Sequence, residues 1–489
     1  MAGAVLDRPC ALILIVQCLQ SAPNVMAFLK ALPLAKLDAS LAALLQLLTR
    51  PGPLAYTWPT LRLDDIDCDD DSTVALYHAA LPALVSICAK EFKLVERFMR
   101  PRGDAITPAQ GFLDFASQWP LKMTHVDGRW VEEVGSAAFC SELSRCTRLR
   151  SIELSANAAA PAILAAITTS AHCVHTLDIA RSSGAPAMNW ASLLQPWLSS
   201  GHAKHVSFNK VPTTDCNGLA HALATTESLR GLHIVANDDI LCDLVEWKLP
   251  LHRVTELTLA TANTKAMRQL MQLVDVTKLT SLALHCQYEI SDVLGLIPRM
   301  TSLRHLSLQW VHFGDTDTSQ WPDLESVYFG CVKFTPSAFD GVLVYLNNVS
   351  GLKQITLHCC STVGASFAAL SRTLGRLINR GLTMARLTDL CLDGYDAALL
   401  AFALRQRRSA SPLKLDLCSN DFGIDGVRVL LEALAGCTHV GVQIEPTEDE
   451  VMTTNLDEIQ RFVEAHRMTS GPNDTEGSVI YSPTTTMST

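Results

Sequence analysis

A nine-residue pattern constrains this chain more than any other feature. In Leu149–Asn157, LRSIELSAN, apolar residues stand at positions 1, 4 and 6 and an asparagine at position 9. The frame returns from Val174, Ala203, Leu229, Val254, Leu279, Leu303, Leu324, Leu352, Leu387, Pro412 and His439. Position 4 is Leu, Ile or Val in every copy, and position 6 is Leu, Ile or Phe. Such alternation suits a strand buried on one face. Successive copies lie about 26 residues apart, which leaves room for a turn and two or three turns of helix on the way back. A unit that short cannot bury its own apolar face, so the copies must stack and share one continuous core.

The frame L-x-x-L-x-L-x-x-N resembles the leucine-rich repeat. The resemblance implies an α/β solenoid, a horseshoe with a parallel concave sheet and convex helices. The stretch LDLCSNDFGIDGVRVLLEALAGC from Leu415 resembles the ribonuclease-inhibitor-like subtype, and VSFNKVPTTDCNGLAHAL from Val206 is a looser version. Helical faces fall between the frames, at Met267, Leu270, Met271 and Val274 and again at Val427, Leu430, Leu431 and Leu434. Asparagine fills position 9 only at Asn157, Asn237 and Asn420, so an irregular array is expected.

About twelve repeats are placed at 149–447. Residues 1–60 read as a small helical module. Leu12, Ile15, Val16 and Leu19 share a face, as do Val25, Phe28, Leu29 and Leu32, and then Leu41, Leu44, Leu45 and Leu48, with breaks at Pro23, Pro33 and Pro51-Gly52-Pro53. The bland expectation is a cap over the open end of the solenoid. The layout, with Leu6-Asp7 at its start and Trp58 at its end, also resembles an F-box, although Pro9 follows Leu6 by three residues where that family has Leu-Pro. This resemblance implies docking on a Skp1-like adaptor of cullin–RING ubiquitin ligases through Leu12, Ile15, Leu19, Phe28 and Leu29. Residues 61–148 read as a helical and degenerate-repeat transition, with a repeat-like strand on Leu61 and Leu63 after Trp58-Pro59 and a weak repeat on Leu121, Thr124 and Val126. A capping helix is expected at 448–469, with Leu456, Ile459 and Val463 aligned, and a disordered tail at 470–489.

Composition excludes several functions. The chain has 39 basic and 49 acidic residues, a net charge of −10, and no basic stripe, which argues against nucleic acid. Its 16 cysteines are scattered, often beside strand anchors, which suits a reducing compartment. The apolar run CALILIVQCL follows Asp7 and Arg8, lacks a basic leader and is too short to span a bilayer, so a protein free of the membrane, cytoplasmic or nuclear, is expected. The acidic run from Asp64 to Asp71 lacks the glycine and distal glutamate of a calcium loop and reads as solvated. His172, Cys173 and His175, and likewise His358, Cys359 and Cys360, lack metal-site spacing. With no nucleophile elbow, phosphate loop or zincin helix, neither a cofactor nor catalysis is expected.

What remains is a surface. If positions 1, 4 and 6 are buried, positions 3, 5 and 7 face the concave side. Small and hydroxyl residues dominate there. Adjacent central repeats instead carry His285, His305, Gln309, Tyr328 and His358, with Trp310 one place beyond position 7, the composition of a protein-binding hot spot. The competing expectation has Trp310 turned inward. Three functions are consistent with this reading. One is a monomeric substrate receptor that binds an adaptor through its N-terminal helices and a target on the concave face. The second is a repeat scaffold or inhibitor, and the third a regulator of a small GTPase.

Overall fold

Burial of alternate side chains sets the register of most of the repeat strands. The computed structural model describes residues 9–50, 54–66, 70–89, 98, 108–131, 136–315, 318–361, 366–409, 411–444, 459–466, 468–472 and 479–483. The chain divides into two compact units, residues 1–229 and 230–489. Both are built of strand–turn–helix repeats with parallel strands, and the fold is an α/β leucine-rich-repeat solenoid.

The first unit opens with helices α1 (Pro9–Cys18), α2 (Ala22–Ala31) and α3 (Ala39–Thr49). Ser21 caps α2 by accepting from the Asn24 amide, and Asp38 caps α3 by accepting from the Leu41 amide. Helix α3 lies along α4 (Asp71–Ala80), the helix of the first repeat, and so takes the place of a preceding repeat's helix. Leu12 and Leu29 are fully buried and hold the cap together, which removes them as direct adaptor contacts. Ile15, Leu19 and Phe28 are half-buried. Among the described residues, the large apolar side chains the cap leaves open are Leu14, 63% exposed, and Leu34, 79% exposed.

Six parallel strands follow: β1 (Thr60–Arg62), β2 (Ser86–Ala89), β3 (Met123–Asp127), β4 (Ser151–Ala156), β5 (Thr176–Arg181) and β6 (His205–Asn209). The repeats therefore begin near residue 60, within the stretch expected to be a transition. The first repeat has Leu61 and Leu63 at positions 4 and 6, but the next two escape a leucine pattern because position 6 is Ala89 in the second and Gly128 in the third. Gly128 is needed there: its amide donates to the Glu153 carbonyl at 2.8 Å, and a Cβ would stand 3.2 Å from that same oxygen. The third frame starts at Met123, not Leu121, which is 59% exposed. The Lys122 ammonium donates to the carbonyls of Leu81, Pro82 and Leu84, and Gln17 of α1 donates to the last two, which ties the cap to the repeats.

The second unit carries β7 (Gly231–Val235), β8 (Glu256–Ala260), β9 (Ser281–His285), β10 (His305–Gln309), β11 (His312–Phe313), β12 (Ser326–Gly330), β13 (Lys333–Phe334), β14 (Gln354–His358), β15 (Met384–Thr388), β16 (Leu413–Asp416) and β17 (Val440–Ile444). All but β11 and β13 form one parallel array, and those two pair with each other in the turns. Position-4 and position-6 anchors such as Leu282, Leu284, Leu306, Leu308, Ile355 and Leu357 are at most 1% exposed. Burial of each contributes about 1.5–3 kcal/mol. The residue after position 7 turns left-handed in Ala236, Trp310, Cys331, Cys359, Asp389 and Ser419, so its side chain leaves the strand's alternation.

Two sequence expectations are corrected here. The repeat assigned to Leu387 has its strand five residues earlier, at Met384–Thr388, anchored by Leu382, Ala385 and Leu387. Leu390 and Leu392 are buried too, but in the turn, where a leucine count cannot tell them from strand anchors. The tail expected to be disordered contains β18 (Met468–Pro472) and β19 (Val479–Pro483), and β19 pairs antiparallel with both β17 and β18. Of the expected capping helix, residues 459–465 are helical with Ile459 and Val463 buried, while Leu456 lies outside the described residues.

Candidate functional site

The sheet face of the second unit is set by register. One row across β9, β10, β12, β14 and β15 reads His285, Gln309, Gly330, His358 and Thr388. The next row from β9 to β16 reads Ala283, Ser307, Tyr328, Thr356, Arg386 and Asp416. With strands about 4.8 Å apart, three spacings separate His285 from His358.

Tyr328 does not stand straight up from its row. A Cβ on Gly330 would lie 2.7 Å from Tyr328 Cε1 and 2.9 Å from its hydroxyl oxygen, so the ring lies over the bare backbone of Gly330. Only glycine leaves that room. The ring thus fills the place between Gln309 and His358 in the neighbouring row. Burial raises the Tyr328 phenol above its ordinary pKa, with Cys331 and Cys360 adding to the rise and Arg386 opposing it.

Trp310 has φ +60° and is 48% exposed. Its ring lies nearly parallel to that of His285, with centroids 6.3 Å apart and planes 16° apart. The left-handed turn directs the indole outward over the sheet face, so the inward orientation is not adopted. Burial lowers the His285 pKa below the usual imidazole range. His358 Nδ1 and Thr388 Oγ1 are 3.0 Å apart in a hydrogen bond.

His285, Gln309, Trp310, Tyr328 and His358 therefore gather at one end of the strands. His305 does not join them. It sits at the opposite end of β10, about 13 Å along the strand, where Nδ1 meets Ser326 Oγ at 3.1 Å. The corrected register adds Met384, Arg386 and Thr388 to the face in place of Asp389, Cys391 and Asp393. Arg386 Nε lies 3.6 Å from Asp416 Oδ2 and gives the patch a cation. The signal that finds it is Ala385, once a small residue is accepted at position 4. Asp393 instead caps the helix Gly394–Arg405.

The first unit's sheet face differs in charge. Asp127, Glu153 and Asp178 are register partners on β3, β4 and β5. Arg129 holds Asp127 through two bonds of 3.0 Å and reaches Glu153 Oε2 at 3.2 Å. Its hydrogen bonds to Asp127 and the carboxylates around it raise its pKa.

Among the described residues no three His, Cys, Asp or Glu side chains are arranged to hold a metal ion. His172, whose sequence neighbours invite a metal reading, is buried, with one ring nitrogen against Thr169 Oγ1 and the other against the Leu143 carbonyl. Asp70 of the acidic run caps α4, and its bonds with Thr73 and Ser72 lower its pKa to about 2. No helix among the described residues is long and apolar enough to cross a membrane.

No family model matches the chain, and no curated protein matches it. Among solved structures, one similar chain comes from the crystal structure of a TLR13–ssRNA13 complex. It is 14% identical with a TM-score of 0.31, and the match covers 67% of this chain and 44% of that one. This chain thus spans less than half the length of that neighbour. The fold assignment rests on the repeat geometry itself.

Proposed function

We propose that this chain is a protein-interaction protein that captures a protein partner on the sheet face of its second unit. The observation that carries this reading is the outward Trp310 indole stacked on His285, next to a tyrosine ring laid over Gly330. Interface energy concentrates in such aromatic anchors set among small residues that contribute little. The test is capture of partners from the protein's own cells by wild type and by Trp310→Ala. Loss of a captured partner by about tenfold or more, with thermal unfolding unchanged, supports the reading. Equal capture by a Trp310→Ala/Tyr328→Ala variant overturns it.

In its fuller form the reading is a substrate-recognition subunit of a cullin–RING ubiquitin ligase, with the target on the sheet face and the N-terminal helices on a Skp1-like adaptor. The observation that favours it is the exposure of Leu14 and Leu34, large apolar side chains that a free-standing cap has no need to present. Co-purification with Skp1 and a cullin, abolished by Leu14→Asp/Leu34→Asp, is the expected result. Absence of Skp1 from wild-type preparations leaves the helices a cap and the protein a repeat scaffold.

A further inference from the structure

The opposite, helical face of the second unit carries a groove that the sheet-face reading does not use. It lies between α5 (Phe367–Asn379) and α6 (Gly394–Arg405) and encloses about 510 Å³. Its floor is narrow because Gly375 faces Ala403: a Cβ on the glycine would stand 3.6 Å from that of the alanine. One wall carries Arg372 and Arg376 from α5, and the other carries Leu399 and Phe402 from α6.

The two walls are unusual for a surface. Helix α6 is apolar outside as well as inside: Phe402 is 60% exposed and Tyr395, two turns earlier on the same face, is 69% exposed. A helix apolar all round is normally covered on every side. The arginines, four residues apart, point along one side of α5. The Arg372 Nε bond goes to the Ala368 carbonyl of its own helix, and Arg376 Nη1 bonds to Asn347 Oδ1 at 2.7 Å. Neither guanidinium meets a carboxylate among the described residues, and no carboxylate lines the groove. At the groove's end Asn379 Oδ1 accepts from the Arg408 backbone amide. In a chain of net charge −10 this is a local reversal of sign.

We propose that this groove docks an acidic amphipathic helix from a partner protein, apolar side chains against Leu399 and Phe402 and carboxylates against Arg372 and Arg376. The spacing of both walls fits that occupant. Two arginines one helical turn apart match acids at i and i+4, and Leu399 with Phe402 match an apolar stripe of helical period. Arginine also favours carboxylate partners in a fixed, forked geometry.

The full chain is panned against a display library of helical peptides with a constant leucine stripe and Glu, Gln or Lys varied on its flanks. Glu-flanked peptides are expected to be enriched, with affinity falling about tenfold or more for Arg372→Glu/Arg376→Glu and for Phe402→Ser. Arg372→Lys/Arg376→Lys should keep part of the binding, and Trp310→Ala all of it. Four outcomes overturn the proposal: no enrichment over the Phe402→Ser variant, enrichment of neutral or basic flanks, loss of binding in Trp310→Ala, or concentration-dependent dimers of the free chain that Phe402→Ser abolishes. The last assigns the groove to a second copy. Unfolding curves of each variant separate lost binding from lost fold.

Discussion

At the scale of single residues, the candidate site depends on backbone geometry more than on side-chain identity. Trp310 is outward because its own φ is positive, a turn property shared by Cys331 and Cys359 at the same place in the next repeats. Tyr328 lies flat because residue 330 has no Cβ. Gly330→Ala should therefore lift the tyrosine ring toward solvent while changing stability by less than about 1 kcal/mol, since the ring can swing away. Partner affinity and Tyr328 fluorescence report the displacement, and an unchanged affinity argues against a role for the flat ring. Cys359 offers a pH test. Burial, its bonds with Asp389 and Cys331, and the charges of those groups raise its thiol pKa to about 11. The reactive species is the thiolate, so at pH 8 alkylation is slow and should rise about tenfold per pH unit up to pH 10. Asp389→Asn removes one cause of the raised pKa and should speed the reaction at pH 8, as read by mass spectrometry of the alkylated peptide.

At the scale of elements, turns decide how regular the stack is. Asn420, 7% exposed, accepts from the amides of Leu390 and Leu392 and donates to the carbonyls of Leu387 and Leu417. One side chain thus satisfies the turns of two repeats. Asn420→Ala orphans these groups and is expected to cost about 2–4 kcal/mol, measured by denaturant unfolding. A loss under about 1 kcal/mol would mean that water replaces the amide. Position 9 of the β14 repeat holds Cys360, whose thiol reaches the Phe329 and His358 carbonyls at 3.4 Å, a weaker substitute. Strand anchors were legible wherever Leu, Ile, Val or Phe fills positions 4 and 6. They were not legible at Ala89, Gly128 and Ala385, because these buried positions carry small side chains that add no apolar signal to the period. Of the candidate site, His285, Gln309, Tyr328 and His358 followed from the frame, whereas Arg386 was hidden behind Ala385.

At the scale of the molecule, each of the two units is a stack whose last strand would offer unpaired hydrogen-bonding groups unless something covers it. In the second unit that cover is β19, antiparallel to β17, with β18 outside it. Truncation after residue 466 should leave the repeats folded but expose the β17 edge, giving concentration-dependent association by light scattering. A truncated chain that stays monomeric would show that the hairpin is dispensable. The sequence by itself determined the repeat, its period and the parallel strand–turn–helix order, because those depend on apolar residues placed a few positions apart. Tertiary structure alone decided how the strands Ser86–Ala89 and Met123–Asp127 join the array, which five residues of the Leu382 repeat form its strand, and which way Trp310 points. Those choices depend on hydrogen bonds between neighbouring repeats, as from the Trp310 amide to the Gly330 carbonyl, a separation over which no local pattern carries the information.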